Sequence, residues 1–118
     1  MAALCFSTMK VEPYERKVIN LLCSDIVSNA LLQEVINFPE SIECKFTGEG
    51  YYLDLVHKGL PNERVVCDKP NIIGRCQDQQ IGFIVFIENG ILCLECYNYS
   101  NKLVPESIRY GTVEITTT

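Results

Sequence analysis

Gly82-Phe83-Ile84-Val85-Phe86-Ile87-Glu88-Asn89-Gly90-Ile91-Leu92-Cys93-Leu94-Glu95-Cys96-Tyr97 is the stretch that decides the fold. Asn-Gly between two apolar runs is the leading short-range hairpin signature, because a type I′ turn needs positive φ at both central residues. A turn at Asn89-Gly90 pairs Ile87 with Leu92, Val85 with Leu94 and Phe83 with Cys96. That face is apolar throughout and must be core. The other face pairs Glu88 with Ile91, Phe86 with Cys93, Ile84 with Glu95 and Gly82 with Tyr97. A hairpin apolar on one face and half-apolar on the other belongs in the middle of its sheet. Tyr97 stands opposite Gly82, where its ring can cover the bare backbone.

Upstream, a second hairpin follows the same logic. Ile42, Cys44 and Phe46 alternate with Glu43 and Lys45, and Tyr51, Leu53 and Leu55 alternate with Tyr52, Asp54 and Val56. A two-residue loop at Gly48-Glu49 pairs Phe46 with Tyr51, Cys44 with Leu53 and Ile42 with Leu55. These three apolar pairs land on one face, and a one-residue slip would scatter the set over both faces. Between the hairpins, Gly59-Leu60-Pro61-Asn62 reads as loop, Arg64 to Cys67 as a short strand, Asn71 to Gly74 as another, and Gln77 to Gln80 as a polar turn. Val104 to Ile108 reads as loop or a helical turn, and Tyr110 to Thr116 as a last, edge strand.

The N-terminal third is helical. Pro13 suits a first helical turn, and Tyr14, Val18, Leu21 and Leu22 form an apolar stripe with Glu15, Arg16, Lys17 and Asn20 on the other side. Ser24-Asp25 is placed to cap a second helix running to about Asn37, with Val27, Leu31 and Val35 on one face; one bent helix is the alternative. Pro39 ends the helical region. The expectation is a single α+β domain over residues 1–118, with N-terminal helices packed on a mostly antiparallel five- or six-stranded sheet. The mixed face that carries Glu95, Tyr97 and Tyr99 is either the side the helices cover, which the layer rule favours, or a partner surface rich in Tyr.

A chain of 118 residues without Trp must build its core from Ile, Leu, Val, Phe and Tyr. Fifteen acidic against 10 basic residues give a net charge of −5, which argues against nucleic acid and favours a basic protein partner. No apolar run reaches the ~20 residues needed to span a membrane. The Met1-Ala2-Ala3-Leu4-Cys5-Phe6 start lacks the basic region and apolar length of a signal peptide. Seven cysteines in apolar contexts (Cys5, Cys23, Cys44, Cys67, Cys76, Cys93 and Cys96) read as free thiols of a reducing compartment, which points to the cytoplasm.

Each candidate for chemistry has a plain structural reading beside it. Cys93-x2-Cys96 has zinc or redox spacing, but on a strand positions i and i+3 point to opposite faces, and no further ligands complete a site. His57 is the lone histidine, with no recognisable nucleophile beside it. Glu43 and Asp54 fall directly opposite one another, with Lys45 and Lys58 nearby: an acid/base pair, a docking point for a cation, or a solvated charged face. Glu95, Tyr97 and Tyr99 share a strand face with Ile84 and Phe86 across the hairpin, and a half-buried Glu95 there needs a hydrogen-bond partner. Gly48-x-Gly50 opens no helix and is no dinucleotide fingerprint. Neither a metal nor a cofactor is expected from these patterns.

Thr47-Gly48-Glu49-Gly50-Tyr51-Tyr52 and Gly82 to Gly90, followed by Leu92, Leu94-Glu95 and the Tyr97/Tyr99 pair, resemble the hairpin pattern of an uncharacterised family of small bacterial proteins. The resemblance covers about half the chain and departs from the pattern after Tyr99, where no Trp-Pro follows. In size, acidity and lack of a catalytic set the chain is also similar to immunity proteins of bacterial toxin systems. The family resemblance carries no functional residues; the net charge of −5, the absent catalytic set and the Tyr/Glu strand face point to a protein-binding module, an immunity-type inhibitor of a basic toxin domain, acting through Glu95, Tyr97, Tyr99, Glu43 and Asp54. The alternatives are a small enzyme or ligand-binding protein using a carboxylate/His site, and a homo-oligomer built on the mixed face.

Overall fold

Glu12-Pro13 starts the first helix as the sequence predicts. Helix α1 spans Pro13–Cys23 with Pro13 in its first turn, and Glu15, at the third helical position, accepts the Glu12 N–H at 2.8 Å. The computed structural model describes residues 9–77, 79–99 and 104–117. Met1 to Phe6, with Cys5, and Asp78 of the polar turn lie outside the described residues. Two helices form, not one bent one. The Cys23 carbonyl accepts the N–H groups of both Ile26 and Val27 at 2.9 Å, so the chain turns there instead of starting α2 at Ser24-Asp25. Ser28 takes the capping role: its hydroxyl accepts the Leu31 N–H at 3.3 Å, and α2 spans Asn29–Asn37.

Seven strands follow, all paired antiparallel: β1 (Ser41–Phe46), β2 (Gly50–Val56), β3 (Val65–Cys67), β4 (Ile72–Cys76), β5 (Gln79–Glu88), β6 (Ile91–Asn98) and β7 (Glu114–Thr117). The order is β1-β2-β6-β5-β4-β7, with β3 also paired to β5. The sheet exceeds the expected five or six strands because both short segments between the hairpins form strands, β3 and β4, and both pair with β5, one opposite its end and one opposite its start. The final strand starts four residues later than expected. Glu106–Tyr110 forms a 3-10 helix, so the helical elements are not all N-terminal, and β7 pairs only with β4 among the described residues.

Both hairpin registers match the sequence reading. Phe46, Cys44 and Ile42 face Tyr51, Leu53 and Leu55, and Phe83, Val85 and Ile87 face Cys96, Leu94 and Leu92. Asn89 and Gly90 have φ of 55° and 76°, the two positive values a type I′ turn demands. Gly90→Ala puts a Cβ on a left-handed residue and is expected to cost about 1–2 kcal/mol, read as a lower urea midpoint at unchanged slope. The central β5-β6 pair is flanked by β2 on one side and by β3 and β4 on the other.

The helices do not cover the face the layer rule suggested. α1 packs on β5 and β7 and α2 on β2, against Leu53, Leu55, Val85, Ile87, Leu92 and Leu94, all fully buried. Burying a Leu, Ile or Val side chain contributes roughly 1.5–3 kcal/mol. With one helical layer to place, the wholly apolar face gains most from it. The mixed face therefore stays open, with Ile84, Phe86, Ile91, Cys93, Glu95 and Tyr97 only half-buried.

Candidate functional site: the open face of the sheet

The ladder registers order the open face into rows running across the strands. One row reads Glu43, Asp54, Cys93, Phe86, Val66 from β1 through β2, β6 and β5 to β3. The next reads Lys45, Tyr52, Glu95, Ile84. In the third, Tyr97 lies between Gly50 and Gly82. A Cβ on Gly82 would sit 2.5 Å from the Tyr97 ring, so the ring does cover that glycine. Tyr99 continues the face just past β6: it is 44% exposed, meets Tyr97 edge-on with centroids 5.5 Å apart, and donates its hydroxyl to Asn71 Oδ1 at 3.3 Å. All five residues singled out from the sequence, Glu43, Asp54, Glu95, Tyr97 and Tyr99, thus share one surface.

On this face the Cys93 thiol and the Tyr52 and Tyr97 phenols stay neutral, and Asp54 and Glu95 are hydrogen-bonded. Burial, then the hydrogen bond to Asp54, pushes the Cys93 thiol up to about 12, so it stays protonated beside that carboxyl group. The charge of Glu95 raises the Tyr52 phenol, which hydrogen-bonds Glu95 and supplies the partner that a half-buried Glu requires. Burial, then its bond with Tyr99, pushes Tyr97 up to about 12. Lys45 Nζ lies 3.8 Å from Glu43 Oε1, with both side chains well exposed. Lys58 lies beyond β2, where its backbone N–H donates to Glu40 at 2.8 Å. Glu43 stands directly opposite Asp54, where like charges repel. Glu43→Gln is accordingly expected to leave stability unchanged or raise it by about 0.2–1 kcal/mol in chemical denaturation.

At one corner of the face a depression of about 330 Å³ is lined by Arg64, Phe86, Glu88, Asn89, Ile91 and Cys93. The Arg64 guanidinium lies 5.0 Å over the Phe86 ring and 3.2 Å from Glu88 Oε1. This puts a stacked cation at the edge of the face, in addition to Lys45.

His57 takes no part in the face. It falls on the buried side of β2's continuation, with Leu53 and Leu55, whereas Asp54 points the other way. Its Nδ1 accepts the Gly59 N–H at 2.9 Å, and Nε2 lies 3.8 Å from Glu34 of α2. The ring holds a turn against a helix, and no Asp54–His57 site is assembled. Cys93 is half-buried on the open face and Cys96 is buried in the core, so the two sulfurs of the C-x2-C spacing diverge. Among the described residues no three His, Cys, Asp or Glu side chains are grouped to hold a metal ion.

One polar cluster escaped the sequence reading, which placed Glu15 on the solvated side of α1. Glu15 is fully buried and forms a two-pronged ion pair with Arg109 of the 3-10 helix, at 2.8 Å for each prong. Tyr51 donates to Glu15 Oε2 at 2.5 Å, Tyr14 is hydrogen-bonded to Tyr51, and Arg109 Nη2 also donates to the Lys10 carbonyl at 2.8 Å. Burial disfavours the Arg109 cation, but the Glu15 hydrogen bond and charge outweigh it and hold the guanidinium above its usual value. The available signal was spacing: Glu15, Ile19 and Leu22 follow the same i, i+4, i+7 pattern as the apolar stripe. This cluster sits beneath the sheet, on the side opposite Asp54 and Glu95, and its polar side chains satisfy one another.

No family model matches the chain, and comparison with curated proteins and with solved structures gives no match.

Proposed function

We propose that the protein is a small acidic protein-binding module that docks a basic partner on the open face of its sheet, as an immunity-type inhibitor docks a toxin domain. The observation that carries this reading is a central sheet face without a helical layer, on which Glu43, Asp54 and Glu95 lie among Tyr52, Tyr97 and Tyr99. Tyrosine supplies contact area with a polar tip, and acidic groups steer a basic partner and fix its register. The net charge of −5 acts in the same direction. The resemblance to small bacterial proteins sets the same context, and Cys23, Cys44, Cys67, Cys76, Cys93 and Cys96, none of them in a disulfide, support a reducing compartment such as the cytoplasm. A carboxylate/His enzyme is the weaker reading, because Asp54 and His57 lie on opposite faces of the sheet.

The test is parallel capture at low salt from lysate of the native cells, using the wild type and the Glu43→Gln/Asp54→Asn/Glu95→Gln variant. The expected result is a stoichiometric basic protein held by the wild type and released at high salt. The triple variant should hold it about tenfold or more weakly, chiefly through slower association. Equal retention by the variant would move the interface off this face. A wild-type eluate with no bound macromolecule would overturn the reading, and a dimer in solution joined through this face would replace the basic partner with a second copy.

A further inference from the structure

Strand β1, Ser41–Phe46, ends one side of the sheet and pairs with β2 alone among the described residues. Its register with β2 is unbroken over six residues, so neither a proline nor a bulge blunts the edge. The Thr47 N–H donates to the Gly50 carbonyl at 3.0 Å, which closes the hairpin and sets the alternation along β1. Ser41, Glu43 and Lys45 therefore turn their N–H and C=O groups toward β2, while Ile42 and Phe46, of the other set, turn theirs to the outer edge. Side chains alternate as well. Ile42, Cys44 and Phe46 are half-buried on the helical side, and Glu43 and Lys45 are exposed on the open face.

A second copy of the strand, laid antiparallel against this edge, matches it in one register. With Cys44 opposite the partner's Cys44, Ile42 meets the partner's Phe46 and Phe46 meets the partner's Ile42. On the open face, Glu43 meets the partner's Lys45 and Lys45 meets the partner's Glu43. Opposite charges placed directly across an antiparallel pair stabilise it, and like charges weaken it. Sliding the partner by two residues, the smallest step that keeps the ladder bonds, sets Glu43 on the partner's Glu43 or Lys45 on the partner's Lys45. The charges thus favour the central register and oppose its neighbours. Within one chain Glu43 faces Asp54, so a cation on its other side relieves a repulsion that the monomer retains. At the far edge of the sheet, β7 has only Glu114 as a charged residue and offers no such match.

We propose that the protein forms a two-fold dimer through β1, which joins two seven-stranded sheets edge to edge. The two-fold axis stands perpendicular to the sheet, so both open faces lie on the same side. The row Phe86, Cys93, Asp54, Glu43 of one protomer then runs on into the partner's Lys45 and the partner's Tyr52. Such a dimer leaves the open face uncovered and doubles its extent, so the inference goes beyond the docking of a basic partner and stands apart from it. One strand pair is a small interface, and the association is accordingly weak.

Sedimentation equilibrium of the purified full chain, from about 1 µM to 1 mM, is expected to show a reversible monomer–dimer equilibrium. Glu43→Lys sets a lysine against the partner's Lys45 at both ends of the contact and is expected to weaken the dimer about tenfold or more. Lys45→Glu does the same with carboxylates. An equimolar mixture of the two variants restores opposite charges at both positions and is expected to dimerise about as strongly as the wild type. The Glu43 and Lys45 side chains are 65% and 61% exposed, so neither change threatens the fold. Amide exchange reads the register: the Ile42 and Phe46 N–H groups should slow as chain concentration rises, while those of Glu43 and Lys45, bonded to β2, stay protected throughout. Phe86→Ala separates this dimer from one joined face to face, because the edge dimer keeps its strength. A chain that stays monomeric to about 1 mM would overturn the proposal. So would single variants that dimerise like the wild type, a mixture no stronger than its components, or a dimer that Phe86→Ala abolishes.

Discussion

Arg109→Ala lowers the free energy of unfolding by about 3–5 kcal/mol, the usual loss when one partner of a buried ion pair is removed. Glu15 and Arg109 are 0% and 1% exposed in their side chains, so water cannot take over the role of the lost partner. Truncation leaves a carboxylate in the core with only the Tyr51 hydroxyl and the Glu12 N–H as donors. The loss is a large share of the 5–15 kcal/mol that holds a typical domain together. Arg109→Lys keeps the charge but loses the fork that bonds both Glu15 oxygens, so an intermediate loss is expected. In a double-mutant cycle, Glu15→Gln combined with Arg109→Ala costs less than the sum of the single losses, because the second change removes the charge the first left unpaired. Urea denaturation measures the four proteins of the cycle and Arg109→Lys. A loss below about 1 kcal/mol for Arg109→Ala would mean that the pair behaves as an exposed one.

The contrast between this ion pair and the hairpins explains what could be read from the sequence. Asn89-Gly90 and Gly48-Glu49 fix their registers locally: the turn sets which residues face each other, and the apolar alternation permits no slip. From those two registers the juxtaposition of Glu43 with Asp54 and of Glu95 with Ile84 followed directly. The partner of Glu15 lies 94 residues away, and nothing near Arg109 in the chain announces it. A charged residue on a helix reads as solvated unless its partner is known, so Glu15 was assigned to the wrong side. The side on which the helices pack was likewise a competition between two sheet faces. Local patterning described both faces correctly, but the outcome turned on which one offered more apolar surface to bury. The three-residue β3 carries too little alternation to register as firmly as the hairpin strands.

Above about pH 10 the wild type is expected to lose stability more steeply than Tyr51→Phe. Burial, followed by the charge of Glu15, raises the Tyr51 phenol far above its ordinary value of about 10, and burial does the same to Tyr14. In the unfolded chain both tyrosines release protons near pH 10, whereas in the folded protein they hold them. The unfolded state then binds fewer protons than the native state, and unfolding becomes easier as pH rises. Each such group steepens the fall by at most about 1.4 kcal/mol per pH unit, so Tyr14 and Tyr51 together contribute up to about 2.7. Below pH 10 this contribution is flat. There the wild type should exceed Tyr51→Phe by about 1.5–3 kcal/mol, the worth of a hydrogen bond to a charged group. The two stability curves should therefore run parallel from pH 7 to 9 and converge between pH 10 and 12, as followed by urea midpoints. Tyrosinate absorbance gives an independent reading: in the folded wild type Tyr14 and Tyr51 should stay silent until the protein unfolds, and Tyr97 up to about pH 12. Parallel curves through pH 11, or full phenol ionisation before unfolding, would show that Tyr14 and Tyr51 exchange protons with solvent in the native state and that the cluster around Glu15 is open to water.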